Sequence, residues 1–383
     1  MDKTNDIFFA LLRSAIKNEN EEISLADVDY EALFSLAKFH DLAHIVYYVL
    51  KKRDSLPEDE IGKKFKDQYD IAIYRHIRRT TAIAEVRKIL ENAHIPFILL
   101  KGVVLMDLYP EQWMRTSADI DVLVKEEDVK KVSKVFIESG MIQGEECPHH
   151  ISFSDQNKMH IELHFCLIEE FYLRKTSELL KNIWVHSEMR KNFTSEHLMN
   201  DEWFYLYHIA HTAKHFKTGG CGVRSVLDVW FLNHKIQYDQ AKRCELINES
   251  ELFYFDIAIK GLSEMWFSKS ETISLPDGFE SYIINGGIYG TYERDVMIWK
   301  KKFNNRFIYY FKRIFLPYKF IKHEYSILKK WPVLLPFCWI ARWFRLLKPE
   351  KRKQAIEEIR VENSIDSEES ERIESLLKEL EIW

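Results

Sequence analysis

Apolar residues recur at helical spacing through most of the first 85 positions. DIFFALLRSAI, YEALFSLAKFHDLAHIVYYVL and FKDQYDIAIYRHIRRTTAIAEVRKIL each carry an apolar stripe at i, i+3, i+4 and i+7, which predicts three amphipathic helices. Asp27 or Asp29 is placed to cap the second, and Leu56-Pro57 separates it from the third. After His94-Ile95-Pro96 the period changes. FILL (97–100) and residues 120–124 are short apolar runs that predict two buried strands. A helix follows from Lys125 to about Glu138, with Glu126, Glu127 and Asp128 at the positive end of its dipole and Gly140 stopping it. Residues 149–154 and 159–165, around Asp155-Gln156-Asn157, predict an antiparallel hairpin. From about residue 167 to 269 the pattern is helical again. EWFYLYHIAHTAKHF and VRSVLDVWFLNHKI are its clearest helices, split by Thr218-Gly219-Gly220. A turn-rich stretch (274–290), a basic aromatic segment and a last helix from about Ser367 complete the chain, with no internal repeat.

Helix, strand, strand, helix and then antiparallel strands describe a small α+β unit inside a predominantly helical chain. The changes of pattern divide the chain into a helical region (1–85), the α+β core (86–190), a helical domain (191–272), a basic aromatic region (273–353) and a charged helix or tail (354–383). Composition agrees: 46% hydrophobic and 14% aromatic residues exclude wholesale disorder, and 12 Gly with 9 Pro disfavour a loop-rich all-β chain. Five cysteines, none within three residues of another, fit neither a disulfide framework nor a cysteine-based zinc site. No apolar run is long enough to span a bilayer, and the N-terminal stretch lacks a signal-like apolar region, so the cytoplasm is the expected compartment.

Charge changes the picture near the C-terminus. Residues 300–353 hold 16 Lys and Arg against 2 acids, a local +14 in a chain of net charge −5. Three uses compete for this segment. It packs on the acidic remainder, it lies on an anionic membrane surface with aromatics at the headgroups, or it binds nucleic acid. Packing ranks first and the inner membrane face second.

The chemistry concentrates in LLKG (99–102), DIDVLV (119–124) and HIELH (160–164). Side chains alternate along a strand, so Asp119 and Asp121 point together, and His160, Glu162 and His164 share a face. If the two strands are neighbours, Glu162 joins the aspartates. Three clustered carboxylates repel one another unless a divalent cation cancels the charge. Mg²⁺, with Mn²⁺ as the alternative, prefers such oxygen ligands and bridges them to substrate phosphates. Two such ions roughly 3.5–4 Å apart would hold the attacking and leaving oxygens of an in-line displacement. Gly102 allows a triphosphate to approach the backbone, and Lys101 or Arg115 can neutralise its charge.

LLKG (99–102), LYP (108–110), Arg115, DIDVLV (119–124) and IELHF (161–165) together resemble the bacterial uncharacterised nucleotidyltransferase family of the DNA polymerase β-type superfold. The resemblance continues into HIAHTAKHF (208–216) and RSVLDVWFL (224–232). It implies a small mixed β-sheet nucleotidyltransferase core flanked by N- and C-terminal helical domains. It also implies metal binding by Asp119, Asp121 and Glu162, the last as a ligand or as the base. Lys101, Gly102, Arg115, His211 and Arg224 are then the nucleotide-binding candidates. The expected reaction moves a nucleotidyl group from an NTP such as ATP to an acceptor and releases pyrophosphate. The acceptor is left open among a sugar phosphate, a small molecule, RNA and protein. One departure stands out: the superfold usually has Gly-Ser or Gly-Gly after the first strand, whereas Val103 follows Gly102 here.

His208, His211 and His215 fall on one helical face, with Arg224 and Asp228 on the next helix. They are either a wall of the active cleft or polar groups satisfied inside a helical domain. A phosphohydrolase metal site ranks below both, since no His-Asp pair lies near. A catalytically silent nucleotide- or partner-binding module with the same fold is the remaining alternative.

Overall fold

The computed structural model describes residues 3–19, 21–270, 274–288, 290–302 and 366–383, together with 311, 312, 314–318, 321, 325, 327–345 and 352. The first helix is α1 (Lys3–Lys17). The long second helix expected from the pattern is two, α2 (Tyr30–Phe39) and α3 (Ala43–Lys52). Asp41 turns the chain between them at φ +55°, a left-handed conformation that aspartate tolerates better than most residues. Of the two candidate caps, Asp29 does the work, accepting the Ala32 N–H. Asp59 accepts the N–H groups of Ile61 and Gly62 and so starts α4 (Glu60–Asn92), a helix of 33 residues.

The core strands are β1 (Phe97–Leu99), β2 (Asp119–Val124), β3 (Ile142–Glu146), β4 (His150–Ser154) and β5 (His160–His164). A short α5 (Gly102–Leu105) follows β1, and α6 (Val129–Glu138) follows β2. Further on come α7 (Arg174–Leu180), β6 (Ser187–Met189) and β7 (Glu196–Met199). All seven strands form one mixed sheet in the order β3-β4-β5-β2-β1-β7-β6. The expected hairpin is β4–β5, and β2 pairs with β5 in parallel.

Strands β3, β6 and β7 lie where sequence periodicity does not predict them. Every residue of β3 is exposed, so it carries no apolar alternation. β6 and β7 have three and four residues, too few to show a period. β7 is fixed instead by side-chain charge: the buried Glu196 accepts from Arg87 at 2.9 and 3.0 Å and from Arg190 at 2.7 Å.

The sheet separates two apolar clusters. Phe97, Leu99, Ile120, Val122, Val124, Ile161 and Leu163 turn to α4 and α6, packing on Ile83, Val86, Leu90, Val132 and Phe136. Ile98 and Leu123, on the opposite face, join a larger cluster that reaches from Ile7 to Ile382. Its helices include α8 (Asp201–Lys217), α9 (Val223–Lys235), α10 (Gln240–Glu249), α11 (Phe253–Phe267) and α12 (Phe279–Ile284). Each buried Val, Ile or Leu stabilises this register by about 1.5–3 kcal/mol. A slip of one residue would turn the whole set of β2 to the wrong side. Asp119 and Asp121 are therefore held on the face that meets the helical body.

Beyond α13 (Tyr292–Lys302) the described residues include α14 (Ile327–Lys330), α15 (Leu335–Arg345) and α16 (Ser367–Glu379). Within the basic segment, Ile321, Leu328 and Cys338 form a small cluster of their own, while Phe337 and Phe344 of α15 stay exposed. The remainder of that segment's expected surface lies outside the described residues. Among the described residues no helix is long and apolar enough to cross a membrane.

His40, at the end of α2, ties three elements together. Its Nε2–H donates to the Ile284 carbonyl at 3.0 Å, and its Nδ1 accepts the Val223 N–H at 3.4 Å. Burial pushes its pKa down to about 4, and does the same to His208 and His215. Below pH 6.5 the unfolded chain takes up protons that these rings refuse. Their contribution to stability is present above pH 6.5 and is lost as pH falls toward 4. Each ring contributes a slope approaching ~1.4 kcal/mol per pH unit. The urea midpoint, measured by circular dichroism, is expected to drop steeply between pH 6.5 and 4.5; an unchanged midpoint would contradict this burial.

Candidate active site

The parallel register sets Asp121 opposite Glu162 and Asp119 opposite His160. Carboxylate oxygens of Asp119, Asp121 and Glu162 all lie within 4.8 Å of one another. Asp121 is buried, and Asp119 and Glu162 are half-buried. The neighbouring strands that the sequence argument required are present, and they bring the three acids together.

The cluster's charge is compensated unevenly. Lys101 Nζ donates to Asp121 Oδ1 at 3.0 Å, and His164 Nε2 lies 2.8 Å from the same oxygen and 3.1 Å from Glu162 Oε2. Burial alone would raise Asp121, but Lys101 and His164 hold it well below the ordinary carboxylate range. Burial likewise opposes ionisation of Glu162, yet the His164 hydrogen bond brings its pKa to about 2. His164 is pushed down by burial and pulled up more strongly by Asp121 and Glu162, so its pKa is raised. Lys101 loses solvation too, but Asp121 keeps it charged. Asp119 behaves differently. Burial and then the Asp121 charge raise its pKa, opposed by Lys101 and by the Ser117 Oγ–H, which donates to Oδ1 at 2.7 Å.

Lys101 takes φ +40° where the chain leaves β1 and enters α5. At Gly102 an added Cβ would stand 3.1 Å from Ser117 Oγ and 3.2 Å from Ser117 Cβ. A serine hydroxyl therefore lies over the glycine after all, carried by the segment entering β2 rather than by position 103. Beneath the turn is Arg79, a fully buried residue of α4. Its Nη2–H donates to the Arg115 carbonyl at 2.8 Å, while Nε and Nη1 have no hydrogen-bond partner.

The helical body supplies the other wall of a cleft of ≈ 280 Å³ that includes His211, Lys214 and His215 of α8 and Arg224 of α9. His211 and His215 meet Nε2 to Nε2 at 2.9 Å. Lys214 Nζ donates to Glu169 Oε2 at 2.7 Å. Arg224 Nη1 donates to Asp41 Oδ2 at 2.8 Å and to Thr116 Oγ1 at 3.1 Å. Arg115 also borders the cleft, but its Nε–H donates to both oxygens of buried Asp228, at 2.8 and 3.0 Å. The Tyr109 hydroxyl donates to the same carboxylate at 2.8 Å. His208, although on the same helix as the histidine pair, is buried and is not among the residues that line the cleft.

The family described as uncharacterised nucleotidyltransferase matches residues 26–260. The chain belongs to this family. That span contains every cleft residue from Lys101 to Arg224. No curated protein and no solved structure matches the chain. Membership makes the protein a transferase by class, with a nucleotide as the substrate the family implies.

Ser117 and Lys214 in this cleft, and Arg79 buried beneath it, escape the sequence argument. Ser117 was legible by alternation, since 117, 119 and 121 share one side of an extended segment. Arg79 interrupts the buried stripe of Ala72, Ala82, Ile83, Val86 and Leu90 on α4, which marks it as a charge placed inside. Lys214 had only its position beside His211 and His215.

Replacing Asp228 with alanine would leave the Arg115 guanidinium buried without its counter-charge. Asp228→Ala is expected to destabilise the fold by about 3–5 kcal/mol, measured by urea denaturation. A loss below about 1 kcal/mol would show that this pair does not hold the α9 wall to the core.

Proposed function

We propose that this nucleotidyltransferase moves a nucleotidyl group from an NTP, with ATP as the expected donor, to an acceptor hydroxyl or phosphate, releasing pyrophosphate. The observation that carries the proposal is the convergence of Asp119, Asp121 and Glu162 in a cleft whose rim also bears Lys101, Lys214 and Arg224. The donor set suits Mg²⁺ or Mn²⁺: three hard carboxylate oxygens from two strands, close enough to share an ion. Such an ion, when bound, supplies positive charge against the triphosphate and the oxygens exchanged in the displacement.

The residues then divide the work. Gly102 brings its backbone to the cleft without a side chain, and the Ser117 hydroxyl, which packs where a Cβ would point and donates to Asp119, orients that carboxylate. Arg79, below the turn, adds a fixed positive potential. Lys101 neutralises phosphate charge, while His211 and Arg224 border the nucleotide from the helical side. Arg115, committed to Asp228, positions the wall rather than gripping phosphate. The acceptor oxygen bonds to the α-phosphorus as the bond to the β-phosphate oxygen breaks, and pyrophosphate leaves with that electron pair. Asp119 and Asp121 hold the ion, and Glu162 is either a third ligand or the group taking the acceptor's proton. A second hollow, of ≈ 540 Å³, shares Leu167 with the cleft and includes Phe165 and Trp184, and is the space we assign to the acceptor.

The phosphohydrolase reading finds less support. Among the described residues, His211 and His215 belong to no group of three or more potential metal ligands. The unpaired state of all five cysteines fits the proposed cytoplasmic location. Exposed Phe337, Ile340 and Phe344 on α15 support peripheral contact with the inner membrane face.

Asp119→Ala and Asp121→Asn are each expected to reduce pyrophosphate release from labelled NTP in cell extract by at least about 10²-fold, with circular dichroism unchanged. Full activity in either variant overturns the assignment. Release of inorganic phosphate instead would move the protein to the hydrolases, and NTP binding without turnover to the silent modules.

A further inference from the structure

The all-oxygen set is not the whole of the cluster. β4 pairs antiparallel with β5, and this register sets His150 opposite His164. Three adjacent strands thus deliver side chains to one spot: the aspartates from β2, Glu162 and His164 from β5, and His150 from β4. His150, Glu162 and His164 form a second group whose ligand atoms lie within 4.8 Å of one another. His164 Nε2 is 3.1 Å from Glu162 Oε2, and His150 Nε2 is 3.8 Å from Glu162 Oε1. Tetrahedral bonds of about 2.0–2.1 Å to zinc place ligand atoms about 3.3 Å apart, within the 4.8 Å spread of this group.

The chemistry of the second set differs from the first. Imidazole nitrogen is a good ligand for zinc and its neighbours and a poor one for magnesium, which prefers oxygen. His150 also lacks the hydrogen bonds expected of a ring so far from water. Its side chain is 14% exposed, and its Nδ1 is buried without a partner. Nε2, the ring's other nitrogen, is the one that faces Glu162. His160 touches Glu162 as well, at 3.3 Å, but its side chain is about half exposed and it is not one of the three.

We propose that His150, His164 and Glu162 form a second cation site, selective for a zinc-like transition metal and sharing Glu162 with the Asp119/Asp121 site. The cleft is then built for two unlike ions, a hard one on oxygens and a borderline one on nitrogen and oxygen. The inference rests on the nucleotidyltransferase reading for what the second ion serves, but not for its existence.

Co²⁺ is the probe, since it replaces zinc and absorbs visible light when held by nitrogen and oxygen. The full-length chain, stripped with chelator, is titrated with Co²⁺ in excess Mg²⁺ and then with Zn²⁺. Wild type is expected to show a Co²⁺ absorption that Mg²⁺ leaves in place and Zn²⁺ removes. His150→Ala is expected to weaken Co²⁺ binding by more than about tenfold, the loss that even an outer partner of a ligand can cause. Asp119→Asn is expected to retain the absorption while losing pyrophosphate release. No Co²⁺ absorption in wild type, displacement by Mg²⁺, or unchanged affinity in His150→Ala overturns the second site. None of those results touches the transferase reading, which fails separately if Asp119→Asn stays active.

Discussion

Parallel pairing of β2 with β5 forces three carboxylates into a space where like charges resist being brought together. Two unit charges 4 Å apart interact by about 4 kcal/mol at the effective dielectric typical near a protein surface. The fold sustains the arrangement because Ile120, Val122, Val124, Ile161 and Leu163 anchor the opposite face, and because Lys101 and His164 sit directly on the acids. Compensation is concentrated on Asp121 and Glu162. Asp119, at the start of β2, has Lys101 at longer range and a serine hydroxyl, and burial with the Asp121 charge still leaves its pKa raised. One sheet face thus holds acids with opposite tendencies.

The same segments that present the acids also tie the two halves of the cleft together. Arg115 and Thr116 lie just ahead of β2, yet their partners are Asp228 and Arg224 on α9. Asp41, in the turn between α2 and α3, completes the second of these contacts. Charge placed near the acidic cluster therefore serves partly as architecture. It positions the helical wall, and it leaves Lys101, Lys214 and the buried Arg79 to set the field that an anionic substrate meets.

Much of this was legible in the sequence. Alternation alone put Asp119 with Asp121 and Glu162 with His164, because the apolar partners between them could belong to one core. Asp29, Gly140 and the break at Thr218-Gly219-Gly220 marked boundaries through local chemistry that acts over a few residues. What escaped depends on distant parts of the chain. The turn at Asp41 is held by Arg224, 183 positions away. β7 is held by Arg87 and Arg190 on Glu196 and by its pairing with β1 and β6, and its own sequence reads as nothing in particular. The hydroxyl missing after Gly102 comes from Ser117, which no rule of adjacent residues would supply. The pairing of Arg115 with Asp228 joins residues 113 positions apart.

The most direct test of the account is a crystal structure of the protein with Mg²⁺ and a non-hydrolysable NTP analogue. The account predicts an ion bound by Asp119, Asp121 and Glu162 at about 2.0–2.1 Å, with the triphosphate lying over Gly102 and reaching Ser117. A nucleotide bound elsewhere, or three acids that remain turned to Lys101 and His164 with no ion between them, would contradict it.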